Sequence, residues 1–213
     1  MLSIFEDKRA TTRWLIGHGL SALTVREYDR VRDVAQFPVM MKPRTGISGH
    51  GVRIVTHDRL PGEKATAGTF FQEAIFNQTE WGVHFSALNG ALLTTDCLMI
   101  RFEAHIFVRR HKKTTGRFKE VVEMECPARL LRLASDVVSR SNYHGMGCLG
   151  VKYMELQPKL LDVNPRMCGM AVNHLNGAIM TRMFRSFLEE LNAQSAREGA
   201  ARGVGVLHTN SLQ

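Results

Sequence analysis

The stretch FPVMMKPRTGISGHGVRIV, residues 37–55, sets an apolar run ending in Lys42 beside a loop with three glycines and a second β-branched run. The pattern predicts strands at 39–41 and 52–55 flanking that loop. Gly46, Gly49 and Gly51 can take positive φ, so several backbone N–H groups can converge on one anion, as a phosphate nest requires. The same glycines suit a plain hairpin turn. Lys42 favours the anion, because an ammonium closing an apolar strand is costly to bury unless an anion meets it. The loop is not the G-x-x-x-x-G-K-[ST] type: no Lys-Ser or Lys-Thr follows, and the next element, VRIV, reads as a strand. A dinucleotide fingerprint fails for the same reason.

Working outward, residues 7–20 predict a helix capped by an acidic residue and closed by glycines, and 25–35 a second, short helix. KATAGTFFQEAIF leads from loop into strand. WGVHFSALNGALLTTDCLMI has the period of a hairpin with an Asn89-Gly90 turn, and MIRFEAHIFVRR continues as strand. Leu130, Leu131, Leu133, Ala134 and Val137 share one side of a helix predicted over 127–141. LGVKYM and PKLLDVN follow as strands joined at 155–157. An amphipathic helix over 171–194 precedes a tail rich in glycine and small polar residues. These elements make a mixed α/β chain of the α+β kind, with antiparallel hairpins and no internal repeat.

At 213 residues, 44% apolar and 23% charged, the chain can bury a real core. Its apolar runs fall short of a membrane span, since ALLTTDCLMI is interrupted by Asp96, and the charged N-terminus is unlike a signal peptide. The expectation is a cytoplasmic protein. Cys97, Cys126, Cys148 and Cys168 form no CxxC pair, so they predict neither a zinc site nor a disulfide framework. The net charge of +8 favours anionic partners, nucleic acid or phosphorylated small molecules, without choosing among them.

In KLLDVNPR, Asp162 and Asn164 are two apart on a predicted strand, so both side chains leave the same face. Two oxygen ligands so placed suit Mg²⁺, which keeps waters and bridges phosphate oxygens. An Asx pair at a strand end is the competing explanation. In QEAIFNQTE, Glu73 and Glu80 taken alone are equally two surface acids.

In order and spacing these segments resemble the ATP-grasp superfamily, most closely its carbamoyl-phosphate-synthetase-like ligases, from Glu6 to about Leu191. The resemblance implies two lobes with mostly antiparallel sheets clamping ATP. EDKRATTRWLIGHGL looks like the family's opening helix, with Lys8 as the first phosphate contact. The central hairpin places Lys42 as the second, and the loop of Gly46, Ser48, Gly49 and Gly51 folds over the triphosphate. QEAIFNQTE implies Glu73 and the Ile75 backbone at the adenine, and Glu80 at the ribose. YHGMGCLGVKYMELQPKLLDVNPRMCG implies Asp162 and Asn164 on Mg²⁺ and Arg166 near the transferred phosphate. The corresponding domains are residues 1–74, the opening helix and smaller lobe; 75–191, the larger lobe with the metal site; and 192–213, a mobile tail.

Three departures stand out. Asp162 takes the place usually held by Glu. Lys152 stands where the partner strand commonly offers a metal ligand, and is expected either against a phosphate oxygen or bonded to a nearby carboxylate. The N-terminal α/β domain that precedes the helix in the family has no counterpart before Met1, which leaves open a fragment, completion by a separate polypeptide, or an enzyme that does without. The implied chemistry is transfer of the γ-phosphoryl to a small-molecule carboxylate, then displacement of phosphate by an amine or other nucleophile, with ATP and Mg²⁺ as cofactors and a homodimer as an open assembly. Arg166, Lys152 and Arg101 are the residues assigned to catalysis, Arg101 as a clamp for the substrate carboxylate. His84, His105 and His144 are expected to be structural. Two rivals remain open: an inactive nucleotide-binding regulatory module, and nucleic-acid binding through the seven Lys and Arg residues of 101–119.

Overall fold

The computed structural model describes residues 3–46, 50–57, 68–103, 118–166 and 177–207. A short turn of helix, α1 (Ser3–Glu6), leads into α2 (Lys8–Gly17), which begins where Asp7 accepts from the N–H groups of Arg9 and Ala10 at 3.0 and 3.2 Å. Asp7 also accepts from Arg44 Nε at 2.9 Å, fixing the helix N-terminus to the smaller sheet. Burial pushes the Asp7 carboxyl up, but the Arg44 guanidinium and the two helix N–H groups outweigh it and hold it below its ordinary value.

The smaller sheet is antiparallel, in the order β1 (Glu27–Tyr28), β4 (Thr69–Glu73), β2 (Val39–Pro43), β3 (Arg53–Val55). The predicted helix over 25–35 is not formed. Glu27 and Tyr28 pair with Gln72 and Phe71 at the sheet edge, and only a 3₁₀ turn follows at Val31–Asp33. Sheet pairing and burial of Tyr28, Val31 and Val34 against Val39, Met41, Val55 and Phe71 override the local helical pattern.

The larger sheet, also antiparallel, runs β7 (Phe118–Met124), β6 (Ala91–Phe102), β5 (Thr79–Leu88), β8 (Gly145–Met154), β9 (Gln157–Asn164). Its β5–β6 hairpin turns at Asn89 and Gly90, both at positive φ (50° and 79°), as expected. The strand expected to continue beyond Glu103 falls at 104–117, outside the described residues. One face packs on α1, α2 and α3 (Ala128–Arg140) through Val83, Phe85, Leu149, Val151, Leu130, Leu133 and Val137. Of the leucines predicted to face this core, Leu131 is the exception, exposed at the cavity described below. The other face meets α4 (Ala178–Leu207), whose Ile179 and Met183 pack on Leu98, Ile100 and Phe102.

Helix α4 runs to Leu207 rather than ending near Gln194, so residues 192–207 of the expected tail are helical; 208–213 lie outside the described residues. Its alanines favour helix. Gln194 Nε2 donates to Glu198 Oε1 at 2.9 Å, and Arg197 pairs with Glu190, which helps carry the helix past Gly199.

Gly147 lies opposite Phe85, and a Cβ there would stand 3.0 Å from Asn164 O and run into the Phe85 ring. Gly147→Ala is expected to lower the stability by about 1–3 kcal/mol, read as a reduced urea midpoint with an unchanged slope.

Candidate functional site

Opposed residues of antiparallel strands share a face, so Glu27, Gln72 and Met40 form one row of the smaller sheet, with Phe70 and Lys42 in the next. This face turns toward α2. The Arg9 guanidinium lies over the Phe70 ring at 5.9 Å, and Thr12 Oγ1 donates to Glu27 Oε1 at 2.6 Å. Arg9 Nε stands 3.4 Å from Glu27 Oε2, and Lys8 Nζ donates to Gly46 O at 3.0 Å.

Lys42 Nζ donates to Gln72 Oε1 at 2.5 Å, and Gln72 is itself buried. Burial drives the Lys42 ammonium below its ordinary value, and Lys8 nearby adds to that. Asp162 and Glu80 on the larger sheet, and Glu27 on its own, pull the other way. Lys42 is thus where the charges of the two sheets meet.

On the larger sheet the pairing puts Glu80, Gly82 and His84 of β5, Cys148, Gly150 and Lys152 of β8, and Asp162 and Asn164 of β9 on one face. Lys152 is buried at 6% exposure, and its Nζ donates to the Asn77 carbonyl at 2.8 Å. Burial lowers the Lys152 ammonium to about 8, with Glu80 opposing the shift and Lys42 adding to it. Asn164 Nδ2 donates to Asp162 Oδ2 at 3.3 Å. The Asp162 carboxylate reaches across Gly150, where a Cβ would collide with its Oδ1, so glycine at 150 is what lets the carboxylate lie over the sheet.

The connection between sheets, residues 74–78, is fastened to the larger one. Asn77 Nδ2 donates to Tyr153 O at 3.1 Å, Thr79 N–H to Asn77 Oδ1 at 2.8 Å, and Phe102 N–H to Gln78 O at 2.9 Å. Glu73 ends β4, its N–H donating to Arg26 O at 2.9 Å, and Ile75 is buried in the connection.

Lys8, Lys42, Glu80, Lys152, Asp162 and Asn164 therefore come together, and Glu73 and Ile75 border them. Gly46 and Gly51 have the expected positive φ, 119° and 75°, whereas Ser48 and Gly49 lie outside the described residues. Arg166 is exposed, directly after the strand that carries Asp162 and Asn164. Arg101 is not brought to the cluster. Alternation along β6 puts it on the face opposite Ile100, which sits across from Glu80, and its guanidinium pairs with Glu120 at 3.5 Å. The expected clamp for a substrate carboxylate has no support there. His84 is buried with Nε2 3.9 Å from Cys148 Sγ, and His144 is exposed against Phe187, while His105 lies outside the described residues.

Sequence reasoning missed Gln72, Glu27, Thr12, Asn77 and Gly150. Gln72 was within reach of pattern alone, as a polar residue between Phe71 and Glu73 in a strand whose partner carries Lys42. The others depend on which strands become neighbours.

Among the described residues no group of three His, Cys, Asp or Glu side chains could hold a metal. Asp162 and Asn164 offer two side-chain oxygens on one face, with the Asp162 carboxylate lying over the bare backbone of Gly150. That suits a Mg²⁺ ion whose remaining ligands are water and phosphate oxygens.

The family described as "ATP-grasp in the biosynthetic pathway with Ter operon" matches residues 83–209, more than half of the chain. No curated protein sequence matches. Among solved structures the chain is similar to an L-amino acid ligase from Bacillus licheniformis, with 15% identity, a TM-score of 0.56, and coverage of 81% of this chain and 43% of that one. It is similar to D-alanine–D-alanine ligase from Bacillus anthracis, with 17% identity, a TM-score of 0.53, and coverage of 91% and 71%. A third likeness is to biotin carboxylase from Campylobacter jejuni in complex with βγ-ATP, with 15% identity, a TM-score of 0.57, and coverage of 87% and 46%. The chain thus spans less than half the length of the first and third of these proteins. At such identities the likeness is one of fold, and it is the expected fold: a mixed α+β chain with two antiparallel sheets. The chain belongs to the ATP-grasp superfamily, in the family associated with the Ter-operon biosynthetic pathway.

Proposed function

We propose that the cleft binds ATP with one Mg²⁺ ion and that the chain is the catalytic core of a ligase that activates a small-molecule carboxylate. The observation that carries this reading is the meeting of Lys8, Lys42 and Lys152 with the Asp162 and Asn164 pair across two sheets. The likeness in fold to ligases that act on amino acids supports it.

Lys8 and Lys42 would take phosphate oxygens from the smaller sheet, and the adenine would lie along the connection at Glu73 and Ile75, with Glu80 at the ribose. Asp162 and Asn164 would hold a Mg²⁺ ion, which would supply neutralisation of phosphate charge. Lys152 would supply a titratable positive charge where a further metal ligand would otherwise stand. Its ammonium can exchange the Asn77 carbonyl for a phosphate oxygen without crossing a sheet. Positioning and charge neutralisation carry phosphoryl transfer, so no nucleophilic side chain is required of the protein. The acceptor carboxylate would receive the γ-phosphoryl, with Arg166, exposed just after β9, as the candidate to meet the transferred group, and an amine would then displace phosphate. Closure of the glycine loop would keep water from the acyl phosphate.

The cluster before binding already balances Lys8, Lys42 and Lys152 against Glu27, Glu80 and Asp162. An arriving polyphosphate must draw the lysines away from these carboxylates. A second reading, nucleotide binding without turnover, is favoured by Lys152 itself, which cannot ligate a metal.

ATP with Mg²⁺ in hundredfold excess over Kd should raise Tm by roughly 5–10 °C, and Lys42→Ala should weaken binding by about 10- to 100-fold. No shift with the wild-type chain overturns the reading. Phosphate release from ATP, measured across a panel of amino acids and small carboxylates, separates the ligase from the silent binder. Gly150→Ala should displace the Asp162 carboxylate and abolish the Mg²⁺ dependence of nucleotide binding while the far-ultraviolet circular dichroism is retained.

Lys152 is charged below about pH 8 and loses its proton above it. A phosphate oxygen favours the charged form, so affinity for ATP should be highest below that pH and fall as pH rises through it. Calorimetric titrations of Lys152→Met over the same range should show a flatter profile. An identical slope in wild type and variant would remove Lys152 from the phosphate site.

A further inference from the structure

The face of the larger sheet that packs on α3 carries a thiol pair the ATP cleft does not use. Cys97 of β6 lies opposite Met124, the last residue of β7, and Cys126 follows two positions later in the link to α3. Same-face alternation puts Cys126 diagonally beside Cys97, where it packs against the cluster that contains Cys97. The two thiols act on each other's titration, and the Thr95 side chain acts on that of Cys126.

Their surroundings differ. Cys97 is fully buried, while Cys126 is half-buried in the wall of an open cavity of about 620 Å³ that it shares with Thr95, Asp96, Glu123, Glu125 and Leu131. Cys126 lies outside the strand, so the link between β7 and Pro127 can adjust to disulfide geometry more readily than a pair held within a ladder.

We propose that Cys126 is an oxidation site for hydrogen peroxide and that Cys97 is its resolving partner. The Cys126 thiolate attacks one peroxide oxygen, the O–O bond breaks, and hydroxide leaves and is protonated to water. Cys126 becomes a sulfenic acid, oxidised by two electrons. The Cys97 sulfur then attacks the Cys126 sulfur, the S–O bond breaks, and a second water leaves with the Cys97 proton. Two thiols and one peroxide thus give one disulfide and two waters.

The division of roles follows first from access, since Cys126 lines the cavity and Cys97 is fully buried behind it. Hydrogen bonds from Cys97 and Thr95 favour the Cys126 thiolate and hold it below the usual thiol value against burial, which opposes them, and Asp96. Its hydrogen bond to Cys126, and burial, push Cys97 up. Asp96 and Glu123 at the cavity pair with Arg182, and peroxide, small and neutral, has no charge to be steered by what remains. Cys148 is buried beside His84, away from this cavity.

The test is treatment of the reduced full chain with a few equivalents of hydrogen peroxide. Thiols titrated after denaturation should fall from four to two. The intact mass should drop by two hydrogens, and peptide mapping should find Cys97 joined to Cys126. Cys97→Ser should leave a sulfenic acid at Cys126 that dimedone traps, and Cys126→Ser should give no disulfide. Wild-type peptide mapping decides even if a variant folds poorly. An unchanged thiol count, a cross-link through Cys148 or Cys168, or oxidation of Cys97 first overturns the proposal.

Discussion

An ammonium taken out of water must meet oxygen, and this protein buries or half-buries two such groups in one cleft. Lys42 finds Gln72 Oε1 at 2.5 Å, and Lys152 finds the Asn77 carbonyl at 2.8 Å. These bonds satisfy geometry but not charge, so the balance is made at longer range by Glu27, Glu80 and Asp162. Because those carboxylates belong to both sheets, the charge balance is a property of the pair of sheets and not of either alone.

The same constraint explains the connection between the sheets. Residues 74–78 carry few means of holding a shape by themselves, yet Asn77 uses its side-chain amide, its side-chain carbonyl and its backbone carbonyl to tie the segment to β5 and β8. Gly150 has a comparable effect on the larger sheet, since only a residue without Cβ lets Asp162 lie over the strand. Small residues and a single amide thus position groups that carry the chemistry.

Lys152 sets this chain apart from the ligand pattern its resemblance implies. A lysine holds its charge only as long as the solvent pH and its burial allow, and burial has already brought it to about 8. A metal ion in that place would be indifferent to such a change. Charge neutralisation at this point of the cleft is therefore tied to protonation, while at Asp162 and Asn164 it is suited to a divalent ion.

Much of this was legible from residue order. Lys42 after an apolar run, positive φ at Gly46 and Gly51, the Asn89-Gly90 turn and the shared face of Asp162 and Asn164 follow from local rules of backbone and period. What local rules could not supply was which strands lie side by side. Residues 25–35 read as helix because their pattern is helical; they become β1 and a 3₁₀ turn because Gln72 and Phe71 are there to pair with. Arg101 was placed in the cleft because its strand borders it, but the alternation of β6 turns it to Glu120. Short-range sterics and hydrophobic period set most of the elements and the order of polar residues along them; register between distant strands, set by packing over the whole sheet, chose the face each side chain occupies and so decided the neighbours of Lys42 and Lys152.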